Sequence, residues 1–162
     1  MPDLHPDVAA LAPLLGTWSG DGNGEYPTIA PFGYWEEITL AHVGKPFLAY
    51  RQRTTARDDG RPLHAETGYI RMPNAGRIEL VLAHPTGITE VEEGTVQIDG
   101  ARITIDVTTT TIGRSASAKD VTALRRMFRI DGDTLDYDVE MAAVGLPLQH
   151  HLAAHLTRQA IT

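Results

Sequence analysis

The 162-residue chain is long enough for one ordinary domain and too short for two substantial ones, so residues 1–162 are read as a single unit. With 42% hydrophobic and 22% charged residues it can build a packed core, and a net charge of −7 without any basic cluster argues against nucleic-acid binding. It has no cysteine, which removes disulfide frameworks, thiol catalysis and Cys-ligated zinc or iron–sulfur centres. No apolar run approaches the roughly 20 residues of a membrane helix, and Met1-Pro2-Asp3 does not begin a signal peptide. The expectation is a soluble, cytoplasmic protein with no membrane partner, monomeric or homodimeric.

Pro6 to Leu15 carries Val8, Leu11, Leu14 and Leu15 at near-helical spacing and stops at Gly16. This predicts a short amphipathic helix with Asp7 near its positive end. Gly16, Gly20, Gly22 and Gly24 then make a poor ordinary strand, and the reading is a bent first strand with Trp18 sealing a barrel floor. From Tyr34 onward the period is mostly two, with Tyr34, Glu36, Ile38 and Leu40 on one face. Further extended runs are Phe47 to Thr55, Leu63 to Met72, Arg77 to His84, Ile88 to Glu93, Thr95 to Ile98, Arg102 to Thr111, Val121 to Ile130 and Thr134 to Val144. Between them stand Asp58-Asp59-Gly60, Pro85-Thr86-Gly87, Asp99-Gly100 and Asp131-Gly132-Asp133, which are hairpin turn signals. Roughly eight to ten sequential strands close most readily on themselves, because closure removes the exposed edges. The predicted fold is all-β: an antiparallel up-and-down barrel of the lipocalin or fatty-acid-binding type with a short N-terminal helix, the alternative being a two-sheet sandwich. A barrel of this size encloses one small ligand.

Seven histidines are the natural metal ligands: His5, His42, His64, His84, His150, His151 and His155. His5 reads as surface and His42 as a turn residue, while His64 and His84 read as hydrogen-bonded rim or wall residues. The segment from Gly145 to Arg158 admits two conformations. As a helix it puts His151 and His155 at i and i+4; as a strand it puts His151, Ala153 and His155 on one face, alternating with Leu152, Ala154 and Leu156. Barrel closure selects the strand. The pair lacks the glutamate of a zinc protease, having Leu152 instead, and one axial histidine facing an apolar cavity suits heme better than zinc. No Gly-x-Ser-x-Gly elbow anchors a serine hydrolase, and no Lys-Ser/Thr follows the glycines to make a phosphate loop. Glu36-Glu37 and Glu92-Glu93 point to opposite strand faces and read as solvated strand edges.

The glycine segment Gly16-Thr17-Trp18-Ser19-Gly20-Asp21-Gly22 resembles the Gly-x-Trp-x-Gly-x-Gly motif of the nitrobindin family. The likeness continues through Glu25 to Ile29, Gly44 to Leu48, Leu63 to Tyr69 and Glu79 to Pro85, and ends at Pro147-Leu148-Gln149-His150-His151-Leu152, covering nearly the whole chain. The resemblance implies a ten-stranded barrel carrying heme b, with ferric iron that binds nitric oxide and isomerises peroxynitrite to nitrate. The family's axial histidine falls on His151 rather than His150, and its heme-edge contacts fall on Thr28 and Lys119, where a propionate would accept a hydrogen bond. Catalysis would then rest on axial ligation and a confined apolar cage, without a distal acid–base pair. Were His64 or His84 to face the distal side, peroxidase-like chemistry would gain ground. The rival readings are a carrier of a fatty acid or other small hydrophobic ligand, and a nitric-oxide carrier or sensor.

Overall fold

A computed structural model describes residues 1–161, in which ten strands follow one another along the chain. They are β1 (Gly16–Tyr26), β2 (Ile29–Ala41), β3 (Leu48–Ala56), β4 (Pro62–Asn74), β5 (Arg77–His84), β6 (Ile88–Asp99), β7 (Arg102–Arg114), β8 (Val121–Asp131), β9 (Thr134–Ala143) and β10 (Gln149–Arg158). Each pairs antiparallel with its sequence neighbours, and β10 pairs with β1 through Trp18 opposite Arg158 to Gly24 opposite Leu152. The sheet therefore closes into a barrel without an edge, as the meander pattern predicts. Burial alternates along the strands, so that Ile78, Leu80 and Leu82 of β5 and Ile103, Ile105 and Val107 of β7 face the interior. No helix of the described residues is long and apolar enough to cross a membrane.

The predicted N-terminal helix is a 3₁₀ helix, Pro6–Leu14. Pro13 within it has no N–H to give to an α-helical ladder, and Val8, Leu11 and Leu14 recur every third residue, the 3₁₀ repeat, all buried. Trp18 lies fully buried under this helix. Its indole Nε1–H donates to the Leu14 carbonyl at 2.9 Å, and the Arg158 guanidinium sits 4.1 Å above its ring. Arg158 in turn donates to the Pro13 and Leu15 carbonyls and pairs with Asp133. Trp18 thus closes the floor, in agreement with the sequence reading.

The glycine-rich segment forms the first strand, β1, with a register shift against β2 between Gly24 and Tyr26. Gly20 is required because a Cβ there would lie 2.1 Å from the His155 carbonyl oxygen of β10. One expectation about glycine needs correction: Ile88 to Glu93 and Thr95 to Ile98 are not two strands. They form β6, continuous through Gly94, where a Cβ would meet the Asp106 carbonyl oxygen at 1.9 Å. In both places glycine marks a close backbone approach rather than a break.

Because the strands alternate in direction, the connections sort into two ends. The 3₁₀ helix and the turns near residues 42–47, 75–76, 100–101 and 132–133 lie at the floor. Residues 27–28, 57–61, 85–87, 115–120 and 144–148 surround the opposite, open end. Trp18→Ala is expected to destabilise the protein by about 3–5 kcal/mol, since it empties a fully buried indole site and orphans the Leu14 carbonyl. Urea denaturation of the two proteins measures the difference.

Candidate functional site

Regular alternation in β10 would place His150, Leu152, Ala154 and Leu156 inside and His151 outside with His155. The ladder with β9 breaks this pattern. His150 pairs with Glu140 and Leu152 with Val139, leaving His151 as the extra residue of a β-bulge. The bulge turns His151 to the inner side, half-buried, with its ring edge-on to the buried Tyr26 at 5.5 Å between centroids. His150 stays exposed, and so does His155, whose Nδ1 lies 2.7 Å from Asp136 on the outer surface. The expectation that His151 shares a face with Ala153 and His155 is corrected by this one-residue insertion.

The His151 Nδ1 stands 3.0 Å from the Glu25 carbonyl oxygen, which can only accept, so Nδ1 carries the hydrogen. Nε2 is left as the lone-pair nitrogen. Burial lowers the His151 pKa below the ordinary histidine value, more than the hydrogen bond to Glu25 raises it, so the ring is neutral at neutral pH. Tyr26 secures the surroundings by accepting from the Ala143 N–H at 2.9 Å and lying within reach of the Met141 and Ala143 carbonyls. A neutral imidazole with one nitrogen fixed by a carbonyl and the other free is the arrangement of a metal-binding histidine. Phe32, Ile112, Met141 and Leu152, all partly buried against the core, supply apolar surface towards this end. The donor fits a heme iron, and these side chains offer apolar surface at the same end of the barrel.

Thr28 and Lys119 are both exposed and both at the open end, in the connections after β1 and after β7. Gly16, Trp18, Gly20 and Gly22 belong instead to the wall and floor. The structure brings His151, Thr28 and Lys119 to one end of the barrel and separates them from the glycine motif.

Below the open end lies a polar belt that the sequence reading missed. Glu36, Gln52, Glu66, Glu90, Glu92 and Arg126 are all buried, which overturns the reading of Glu36 and Glu92 as solvated edges. Arg126 donates to both oxygens of Glu66 at 2.7 and 3.2 Å, to Glu90 at 3.0 Å and to Glu92 at 3.2 Å. Burial alone would raise Glu66 and Glu90, but the Arg126 charge, with help from the histidines, holds both carboxyls below the ordinary value. Glu92 goes the other way: desolvation, with its acidic neighbours and against the Arg126 charge, pushes it well above that value. Glu36 accepts from Gln52 at 2.5 Å and from Tyr137 at 3.0 Å. His64 and His84 face inward beside this belt, with His64 Nε2 and His84 Nδ1 3.1 Å apart and His84 Nε2 3.2 Å from Glu90. They stand as hydrogen-bonded wall residues, as the sequence reading has them.

Comparison with known proteins agrees with this geometry. Residues 7–158 match the family described as THAP4-like, heme-binding beta-barrel domain. A protein of Mycolicibacterium paratuberculosis named peroxynitrite isomerase 1 is 66% identical over 157 residues, spanning 97% of this chain and 98% of its own. A peroxynitrite isomerase of Nocardia farcinica is 61% identical over 155 residues, spanning 96% and 92%. The crystal structure of Rv2717c from M. tuberculosis superposes with a TM-score of 0.95 at 57% identity, covering 98% of this chain and all of that one.

The belt carries its own pH signature. Desolvation raises the Glu36 carboxyl to about 7 from an ordinary 4.5, outweighing its two donors. Its contribution to stability is complete below pH 4.5 and is lost as pH rises towards 7, because the unfolded chain ionises first. The loss reaches roughly 3 kcal/mol. Glu36→Gln is expected to be more stable than the parent at pH 8 and to lose that advantage at pH 4, as measured by urea denaturation at the two pH values.

Proposed function

The chain belongs to the THAP4-like, heme-binding β-barrel family, and from that premise we propose that it isomerises peroxynitrite to nitrate at a heme b iron held by His151. Nitric oxide binds the same iron in this reading. The observation that carries it is the bulge in β10, which turns one neutral imidazole inward with Nδ1–H committed to Glu25 and Nε2 free. When bound, ferric heme supplies a Lewis-acidic site for the peroxynitrite anion.

The protein contributes position and enclosure. Peroxynitrite and nitrate have the same atoms and the same charge, so the reaction needs no reductant and no net proton. Glu25 fixes the plane and tautomer of the His151 ring through its carbonyl, and the edge of Tyr26 limits rotation. The apolar groups around the open end keep water from the reacting anion. Thr28 and Lys119 are assigned to the heme propionates, Lys119 as a cation and Thr28 as a hydroxyl donor, at the rim where carboxylates remain solvated.

Reconstitution with hemin should give a Soret band that is lost or strongly shifted in His151→Ala and retained in His150→Ala. Equal spectra for the parent and His151→Ala would remove the ligand assignment. In stopped-flow measurements the heme-loaded protein should accelerate peroxynitrite decay with nitrate as the main product, whereas the heme-free chain should not. A chain that refuses hemin and takes up a fluorescent fatty acid would support the carrier reading instead.

A further inference from the structure

His64 and Glu66 of β4 and His84 of β5 bring three ligand atoms to one point inside the barrel. His64 Nε2 lies 3.1 Å from His84 Nδ1, His84 Nδ1 lies 3.3 Å from Glu66 Oε2, and His64 Nε2 lies 3.7 Å from Glu66 Oε2. Around a tetrahedral zinc ion with bonds of about 2.0–2.1 Å, neighbouring ligand atoms stand about 3.3–3.4 Å apart. The three observed separations straddle that value.

The hydrogen bonds around the triangle point the same way. His84 Nε2 is 3.2 Å from Glu90 Oε2, whose other oxygen accepts from Arg126 at 3.0 Å, so Nε2 is placed to donate to the carboxylate and Nδ1 presents its lone pair to the triangle. Glu66 Oε1 is already engaged by the Tyr50 hydroxyl at 2.7 Å and by Arg126 Nη1 at 2.7 Å. Oε2 has a longer contact to Arg126 Nη2, at 3.2 Å, and is the oxygen turned towards the histidines. His64 Nε2–H is placed to donate to His84 Nδ1 at 3.1 Å, with Glu66 Oε2 3.3 Å from the same nitrogen, and a cation bound among the three ligand atoms would take the place of that hydrogen. The carboxylate–histidine–ligand-point relation of Glu90, His84 and the triangle is that of an outer partner to a metal ligand.

We propose that His64, His84 and Glu66 form an interior site for a first-row divalent metal ion, zinc being the best match to two imidazoles and one carboxylate. Three protein ligands leave a fourth position open. The site lies across the barrel from His151: β5 is five strands away from β10 in either direction around the closed sheet. It does not depend on the heme reading, since none of its ligands is shared with it.

The test uses the full chain made without a histidine tag and stripped with EDTA, with and without hemin. Zinc chloride titrated by calorimetry should bind one ion per chain, and cobalt(II) should give the visible bands of a tetrahedral site. His84→Gln should abolish the cobalt bands, and Glu90→Gln, which leaves all three ligands in place, should weaken zinc binding about 10- to 100-fold. His150→Ala and His155→Ala should bind as the parent does. Circular dichroism and thermal melting check that each variant is folded. Absence of a one-to-one zinc complex, binding unchanged in both His84→Gln and Glu90→Gln, or binding lost in His155→Ala would each overturn the proposal. A chain that refuses hemin but takes one zinc ion through these residues supports this site while removing the heme assignment.

Discussion

Pairing of β10 with β9 determines which imidazole enters the barrel, because side-chain direction in a strand has a period of two and any slip exchanges the faces. From Leu156 back to Leu152 the ladder is regular, and if it stayed so His150 would point inward. A single unpaired residue resets the alternation and brings His151 inside beside Leu152. Such an irregularity leaves backbone groups poorly paired and needs support from neighbours. Here β1 supplies it from the other side, through the Glu25 carbonyl on the ring itself and through Tyr26, whose hydroxyl meets the end of β9. The bulge, the carbonyl and the tyrosine are one unit.

Beneath that unit the interior is divided by height. The floor is apolar, closed by Trp18 and the 3₁₀ helix, and the polar belt lies between it and the open end. Buried charge costs several kcal/mol per ion unless it is paired and hydrogen-bonded. The belt meets this cost by setting one guanidinium among three carboxyl groups, with burial favouring the protonated form of Glu92. Tyr50 and Tyr137 donate to Glu66 and Glu36, and their own phenol protons are held by burial and by the acidic neighbours. Glu36 Oε1, Gln52 Oε1 and Glu92 Oε2 have no protein partner among the described residues.

Periodicity made the barrel legible. Arg77 to His84 was bounded correctly because its apolar face alternates cleanly and turn residues flank it on both sides. Gly94 was misleading, since sequence cannot separate a glycine that ends a strand from one that lets two backbones approach. The position of His151 was legible as a motif, but its direction was not: a bulge is a property of two strands together. The belt left a fainter signal. Glu36 stands between Tyr34 and Ile38 on one face, and Arg126 between Leu124 and Phe128, so inward charges of opposite sign on separate strands could have been paired from the pattern alone. What the pattern lacks is the distance across the barrel, which depends on strand number and closure.

The charge of the belt bears on how an anion would behave in the upper chamber. The chain carries a net charge of −7 and repels anions at long range, while Lys119 at the open end makes no ion pair among the described residues. Deeper down, Glu66, Glu90 and Glu92 converge on the single Arg126. A divalent ion on His64, Glu66 and His84 would add positive charge to that part of the wall. The two histidine sites are then coupled through the field inside a narrow barrel, whichever of them is filled first.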